Sequence, residues 1–223
     1  MFRLKGIAAA LVAVLIVPLF AAAAPAQAAY SCNVTVPSRV SITSPYKAIT
    51  ARYSNGCLTH AEWATWDVVH PTQGLADILI YDGTSSTEIM DWYDWEPRGT
   101  YTVRPDGAWD DNYDDLAQNS PRMSVRLGSY TYVTHSRSGK YVRADTKVTR
   151  YSTSARKMRP YAGARVTLRF RNSTSGPWTS SRTAKTNSKG KVTFRVSSSR
   201  ARYWQVSTSD TSTTWGGRTT FRR

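Results

Sequence analysis

The sequence predicts an all-β protein made of two tandem antiparallel β-sandwich domains, and three observations carry that expectation. Tyr, Trp and Phe supply 12% of the 223 residues while charged residues reach only 20%. Ser and Thr dominate the polar positions, a composition that suits pleated, half-buried strands better than helices. Apolar and polar residues alternate with a period of two in one segment after another, and beyond the first thirty residues no window carries the period of an amphipathic helix. The charge also breaks in mid-chain: residues 30–127 hold 7 basic and 13 acidic side chains, whereas residues 128–223 hold 21 and 2, giving nets of −6 and +19. Halves of roughly 95 residues each suit one small sandwich apiece.

The elements follow in chain order. Arg3 and Lys5 precede an apolar run from Gly6 to Ala24, and Ala26-Gln27-Ala28 closes it with small residues where a signal peptidase reads. Residues 1–29 are therefore expected to be a cleaved secretory signal peptide. A membrane anchor is the competing reading of that run, and the alanine-rich end favours cleavage. A lipid anchor on Cys32 is disfavoured by the bulky Tyr30 and by the lack of a Leu three places before it. With neither a hydrophobic tail nor a sorting motif at the C-terminus, the mature protein is expected outside the cell, soluble and without a transmembrane segment. Cys32 and Cys57 are the only cysteines. In an oxidising compartment an even count favours one disulfide, which for a loop of this size stabilises by roughly 3 kcal/mol.

In the acidic half, residues 32–36, 49–53, 63–69, 77–81 and 100–103 read as strands separated by Pro, Gly and Asn, and residues 110–117 as at most one turn of helix. Residues 119–129 connect the halves, with Pro121 and Gly128 around a short alternating run that is either the last strand of the first domain or the first of the second. In the basic half, Val166, Leu168 and Phe170 share one strand face, residues 192–196 repeat the alternation, and residues 203–206 form a further core strand. Residues 172–177 and 187–190 supply turns. The halves echo each other: residues 76–81, 99–104 and Trp109 parallel residues 164–169, 190–195 and Trp204, as a tandem repeat of one sandwich would.

The basic half also carries a recognisable pattern. Gly139-Lys-Tyr-Val-Arg143, Val148-Thr-Arg-Tyr151, the Tyr161-Ala-Gly-x-x-Val-x-Leu168 segment, Trp178, Lys185 to Gly190, Val192 to Val196 and Arg202-Tyr-Trp204 together resemble the immunoglobulin-like repeats of secreted actinobacterial proteins over residues 137–223. The resemblance implies non-enzymatic immunoglobulin-like β-sandwich modules, often in tandem, and designates no catalytic residue. It reaches the first half only through the echo.

Chemistry-bearing residues are few. His60, His70 and His135 lie at no zinc-helix spacing and in no nucleophile motif, which places them on the surface. Glu62, Glu88, Glu96 and the aspartates of the first half could be paired only by folding, in a domain with little room for a cleft, so no enzyme, no cofactor and no metal centre is expected. Asp106, Asp110, Asp111, Asp114 and Asp115 crowd ten residues around Gly107. Their spacing departs from an EF-hand, leaving a calcium loop, a solvated acidic loop, or a contact for the basic half of the same or a neighbouring molecule. Trp92 and Trp95 are interleaved with acids in the manner of a sugar-stacking platform, although three residues apart on a strand they point to opposite faces. Arg169, Arg171, Lys191 and Arg195 exemplify outward-facing cations of the second half, a polycation that needs no pocket to hold an anionic wall or extracellular polymer, with salt-sensitive and sequence-independent binding to nucleic acid. The expected function is thus that of a secreted, non-catalytic binding or cell-surface module. The alternative is a carbohydrate-binding or carbohydrate-active protein using the first half's Trp and carboxylates.

Overall fold

A computed structural model of the chain describes residues 30–223, so the expected signal peptide, residues 1–29, lies outside the described residues. The acidic half forms β1 (Val34–Thr35), β2 (Arg39–Ile42), β3 (Tyr46–Tyr53), α1 (Asn55–His60), β4 (Trp63–His70), β5 (Gly74–Tyr81), β6 (Thr87–Tyr93) and β7 (Gly99–Trp109). β8 (Arg122–Ser138) leads into β9 (Tyr141–Ser152), β10 (Lys157–Pro160), β11 (Arg165–Arg171), β12 (Thr179–Lys185), β13 (Lys191–Ser197), β14 (Tyr203–Thr208), β15 (Thr214–Trp215) and β16 (Arg218–Arg222).

Strand order defines the architecture. One sheet runs β1-β3-β6, and facing it runs β5-β4-β7-β8, with β2 added in parallel along β8. After β8 the pattern repeats: β8, β9 and β13 are hydrogen-bonded neighbours, and a second sheet runs β12-β11-β14-β16. Apart from the parallel strands β2 and β15, every ladder is antiparallel. Three strands opposite four, in this order, are immunoglobulin-like sandwiches. Two side chains reinforce the assignment in the first. Trp66 is fully buried on β4, the third strand of the three-plus-four order, and Tyr101 near the start of β7 donates its hydroxyl back to the Pro97 carbonyl at 2.5 Å, a tyrosine corner.

The connecting run is therefore both of the things the sequence left open: β8 closes the first arrangement and opens the second, and the boundary drawn at residues 127/128 falls inside it. Buried hydrophobics gather into two clusters. One runs from Cys32 to Leu127 and includes Trp66, Tyr81, Tyr101 and, from the second half, Tyr151; the other centres on Val166, Leu168, Phe194, Trp204 and Val206.

Several expectations need correction. Residues 110–117 form no helical turn, because the Asp110 carboxylate takes the N–H groups of Asn112 and Asp114 and Tyr113 sits at φ 64°, a local side-chain alternative that outcompetes the helix. The short helix lies instead at Asn55–His60, where Cys57 is buried. The echo between halves is out of register, since residues 76–81 are β5 whereas 164–169 belong to β11, the topological counterpart of β4; likewise β7 corresponds to β14, not to β13. Alternation common to all strands produced the likeness. His70 is not a surface residue: only 8% exposed, it packs 4.9 Å from Tyr101, beneath Gly99, where a Cβ would collide with its ring.

The edge strand β5 carries exposed Leu75, Ile78 and Ile80, a hazard for edge pairing. It is blunted from across the sandwich: the Ile80 N–H donates to Glu88 Oε2 at 2.7 Å and the Tyr53 hydroxyl reaches both the Ile80 carbonyl and Glu88.

Gly190 closes the turn before β13 at φ 70°, and an added Cβ would meet the Val148 carbonyl and the Tyr161 amide, both backbone. Gly139, at φ 53°, has open space around it. Urea unfolding of Gly190→Ala is expected to show a loss of at least about 2 kcal/mol, and of Gly139→Ala no more than about 1 kcal/mol, the cost of the left-handed backbone alone. Equal losses would contradict the steric account.

Candidate binding surfaces

The halves meet at a built junction. β2 lies parallel to Ser124–Leu127 of β8, and β15, from the loop before β16, takes over at Leu127 and Gly128. The Trp215 ring is held between two guanidiniums, Arg39 and Arg126, each 3.9 Å from its centroid, and its Nε1 donates to the Val40 carbonyl at 2.8 Å. Arg39 also forks onto Asp210 at 2.8 and 3.0 Å. On the other side Tyr151 of β9, 1% exposed, donates its hydroxyl to Asp94 at 2.7 Å. None of these contacts was legible in the sequence, for Arg39 and Trp215 are far apart in the chain and neither carries a motif.

The cysteines pair as expected: Cys32 and Cys57 are disulfide-bonded and buried, tying the chain before β1 to α1.

The acidic loop is a solvated turn held by its own hydrogen bonds. Asp110 serves Asn112 and Asp114, Asp111 accepts from the Asn112 amide, and Asp106 lies 3.5 Å from the Thr65 hydroxyl. Among the described residues, Asp106, Asp110, Asp111, Asp114 and Asp115 form no cluster able to hold a metal ion. Nor does the loop meet the basic half of its own chain. Its hydrogen-bond partners all belong to the first half, and β7, which leads into it, starts beside β8 at Gly99 opposite Val125 and runs away from the junction. Among the described residues the ion pair that joins the halves runs the other way, from Arg39 of the acidic half to Asp210 of the basic half.

The proposed tryptophan platform divides. Trp92 is a core residue, 3% exposed and edge-on to Tyr101 at 4.9 Å, so it cannot stack on a ligand. Trp95, in the turn after β6, is 72% exposed and lies nearly parallel to Tyr93, with ring centroids 5.6 Å apart and an interplanar angle of 8°. Tyr93 is in turn opposite Tyr46 in the β3–β6 register, their rings 5.6 Å apart. The two tyrosines were missed because strand register cannot be read from either strand alone.

The four basic candidates do not form one patch. Arg169 and Arg171 stand on β11 in the β12-β11-β14-β16 sheet; Lys191 and Arg195 stand on β13 in the facing sheet, so the sandwich separates them. On the first face Trp178, Arg171, Tyr203 and Arg222 alternate across neighbouring strands, the guanidiniums lying 4.5, 5.7 and 5.3 Å from successive rings. On the second face Arg195 covers Tyr141 at 4.4 Å, and Arg143 forks onto Asp145, which also accepts from Thr193. The hydrogen bonds from Arg143 and Thr193 hold the Asp145 carboxyl below its ordinary range.

No protein-family model matches the chain, and no curated protein does. Among solved structures it is similar to the native conformation of E. coli alpha-2-macroglobulin, at 9% identity and TM-score 0.43 over 87% of this chain and 14% of that one. It is also similar to the D0-D1 domain of intimin, at 16% identity and TM-score 0.28 over 84% of this chain and 96% of that one. A third likeness is to the FN1-FN3 domains of chicken CNTN1, at 8% identity and TM-score 0.33 over 88% and 68%. The chain spans about one seventh of the alpha-2-macroglobulin. At such scores no family is defined, and the immunoglobulin-like class rests on strand order, Trp66 and the Tyr101 corner.

The Tyr151 contact sets a pH dependence. Burial, and then the hydrogen bond to Asp94, push its phenol up to about 12, above the ordinary value near 10. A pKa raised on folding gives stability that is complete below about pH 10 and lost as pH rises through about 12. Tyr53 and Tyr101 are raised in the same direction, chiefly by burial. In urea titrations across that window, Tyr151→Phe should lose less stability with rising pH than the parent; identical slopes would disprove the linkage.

Proposed function

We propose that the chain is a secreted, non-catalytic, immunoglobulin-like binding module whose basic half adheres to anionic extracellular polymers. The observation that carries this reading is the disposition of charge in residues 128–223. Its only two acids, Asp145 and Asp210, are each held in an arginine fork, so the remaining cations stand without acidic partners in their own half on two broad faces. A polyanion gains affinity from such a surface by releasing counterions, without a pocket and without sequence preference. Secretion is supported by the signal-like first 29 residues and by the disulfide. The resemblance to actinobacterial repeats agrees with a surface module. The non-catalytic reading is supported by how the histidines are used: His60 stacks on Tyr30 at 3.9 Å, His135 on Phe221 at 4.4 Å, and His70 packs on Tyr101. The acidic loop stands in the other half, where it competes with polymer for the cations of a neighbouring molecule's basic half.

Binding of the described chain to teichoic-type phosphate polymer or DNA should weaken steeply and log-linearly with salt. Arg169→Ala, Arg171→Ala, Lys191→Ala and Arg195→Ala should each cost no more than about twofold, with each removed phosphate contact lowering the salt slope by about one. Because the sandwich separates the pairs, comparing the Arg169/Arg171 double variant with the Lys191/Arg195 double variant identifies the engaged face. Salt-independent binding, or complete loss from one substitution, would refute a distributed polycation.

A further inference from the structure

The exposed rings of the first half have no role in polyanion binding, and their placement is unlike that of stray surface aromatics. Tyr46 and Tyr93 stand opposite one another across two paired strands, and Trp95 continues the row nearly parallel to Tyr93. The turn that presents Trp95 is pinned at three points: the Asp94 N–H donates to the Pro45 carbonyl, the Glu96 N–H to the Tyr93 carbonyl, and Asp94 receives the Tyr151 hydroxyl. A highly exposed indole on a rigid turn is a preorganised contact rather than a flexible one.

Beside the row, at the junction of the halves, lies a cleft of about 400 Å³ lined by Asp94, Trp95, Glu96, Arg98, Thr153 and Ser154. Its size falls within the range of small-molecule sites, which favour such junctions. One wall is the indole; the remainder offers carboxylate acceptors, hydroxyls and a guanidinium. Flat apolar rings with convergent hydrogen-bonding groups match a pyranose, which has C–H faces to stack and hydroxyls to donate and accept.

We propose that Tyr46, Tyr93 and Trp95, with the adjoining cleft, form a binding site for an uncharged pyranose oligosaccharide. The carboxylates decide against an anionic sugar: Asp91, hydrogen-bonded to the Tyr46 hydroxyl, and Asp94 and Glu96 flank the row, with Arg98 the cation of the cleft. Three rings in a row also present far too little area for a stable dimer, which needs more than about 1,000 Å². The site is separate from the basic faces, and its occupation does not depend on the polyanion reading.

The test is calorimetric titration of the described chain with cellohexaose, chitohexaose and maltohexaose, at low and high salt, with polygalacturonate as the anionic probe. At least one uncharged hexaose should bind with an affinity that salt does not change. Trp95→Ala and Tyr93→Ala should each weaken it about tenfold, or about 1.4 kcal/mol, and Trp95→Phe should restore part of the loss. The exposure of Trp95 leaves the fold intact in its variants, which thermal melting verifies, and the Arg169/Arg171 double variant should bind the hexaose as the parent does. The proposal is overturned if no hexaose binds at millimolar concentration, if Trp95→Ala binds as the parent does, or if polygalacturonate is the sugar bound through Trp95. Salt-sensitive polygalacturonate binding that persists in Trp95→Ala while a hexaose needs the indole would support both sites as separate.

Discussion

One strand serving two sandwiches is the constraint on which the rest of the molecule depends. Along β8 the odd-numbered residues face inward: Met123, Val125 and Leu127 are buried in the first cluster, and Thr131, then Val133 and His135, turn toward the second. Because side chains alternate strictly along a strand, a single inserted residue at the junction would turn one of the two cores outward. Gly128, at the crossing, has Thr43 and Ser41 against it where a Cβ would stand, so the handover occurs at the one position without a side chain.

The junction's chemistry follows from that crowding. Two guanidiniums on opposite faces of one indole repel each other, and each contact with a partly exposed ring contributes only about 0.5–1 kcal/mol. Asp210 offsets the repulsion by neutralising Arg39, while Arg126 donates to the Thr211 carbonyl. Among the described residues the one basic–acidic bridge between the halves is thus local to the clamp. The large opposite charges of the halves therefore contribute little at the junction itself.

How much was legible in the sequence follows from how each strand earns its place. β4 buries every second residue, and β11 and β13 turn every second residue inward, buried or half-buried, a period that is plain in the sequence; β14 keeps its apolar Trp204 and Val206 two apart although Gln205 between them is buried as well. β12 is exposed along nearly its whole length and has no apolar face to announce it, while β2, with Val40 and Ile42 turned inward, is only four residues long between prolines, too short for a period to show. β6 is hard to recognise because its acids and aromatics mask an ordinary alternation, with Met90 and Trp92 inward and Ile89 outward. For the candidate sites the same rule holds. Residue type identified Trp95 and the basic strands, whereas everything that depends on register or on distant contacts, such as Tyr46 beside Tyr93 or Trp215 between Arg39 and Arg126, had no local signal.

The parallel pairing of β2 with β8 has a mechanical consequence. If the chain is pulled at its two ends, tension enters ahead of β2 and leaves beyond Leu127, so the two strands are dragged past each other lengthwise. Their hydrogen bonds, at Ser124 to Leu127, are then sheared as a group rather than opened singly from one end. Trp215, bonded through its indole nitrogen to the Val40 carbonyl, adds a cross-tie to the same strand. Since β8 continues without a break into the second sandwich, force passes between the halves along a fully extended backbone, with no slack linker to take it up. Resistance to tension is therefore concentrated in the strip formed by β2, β8 and β15.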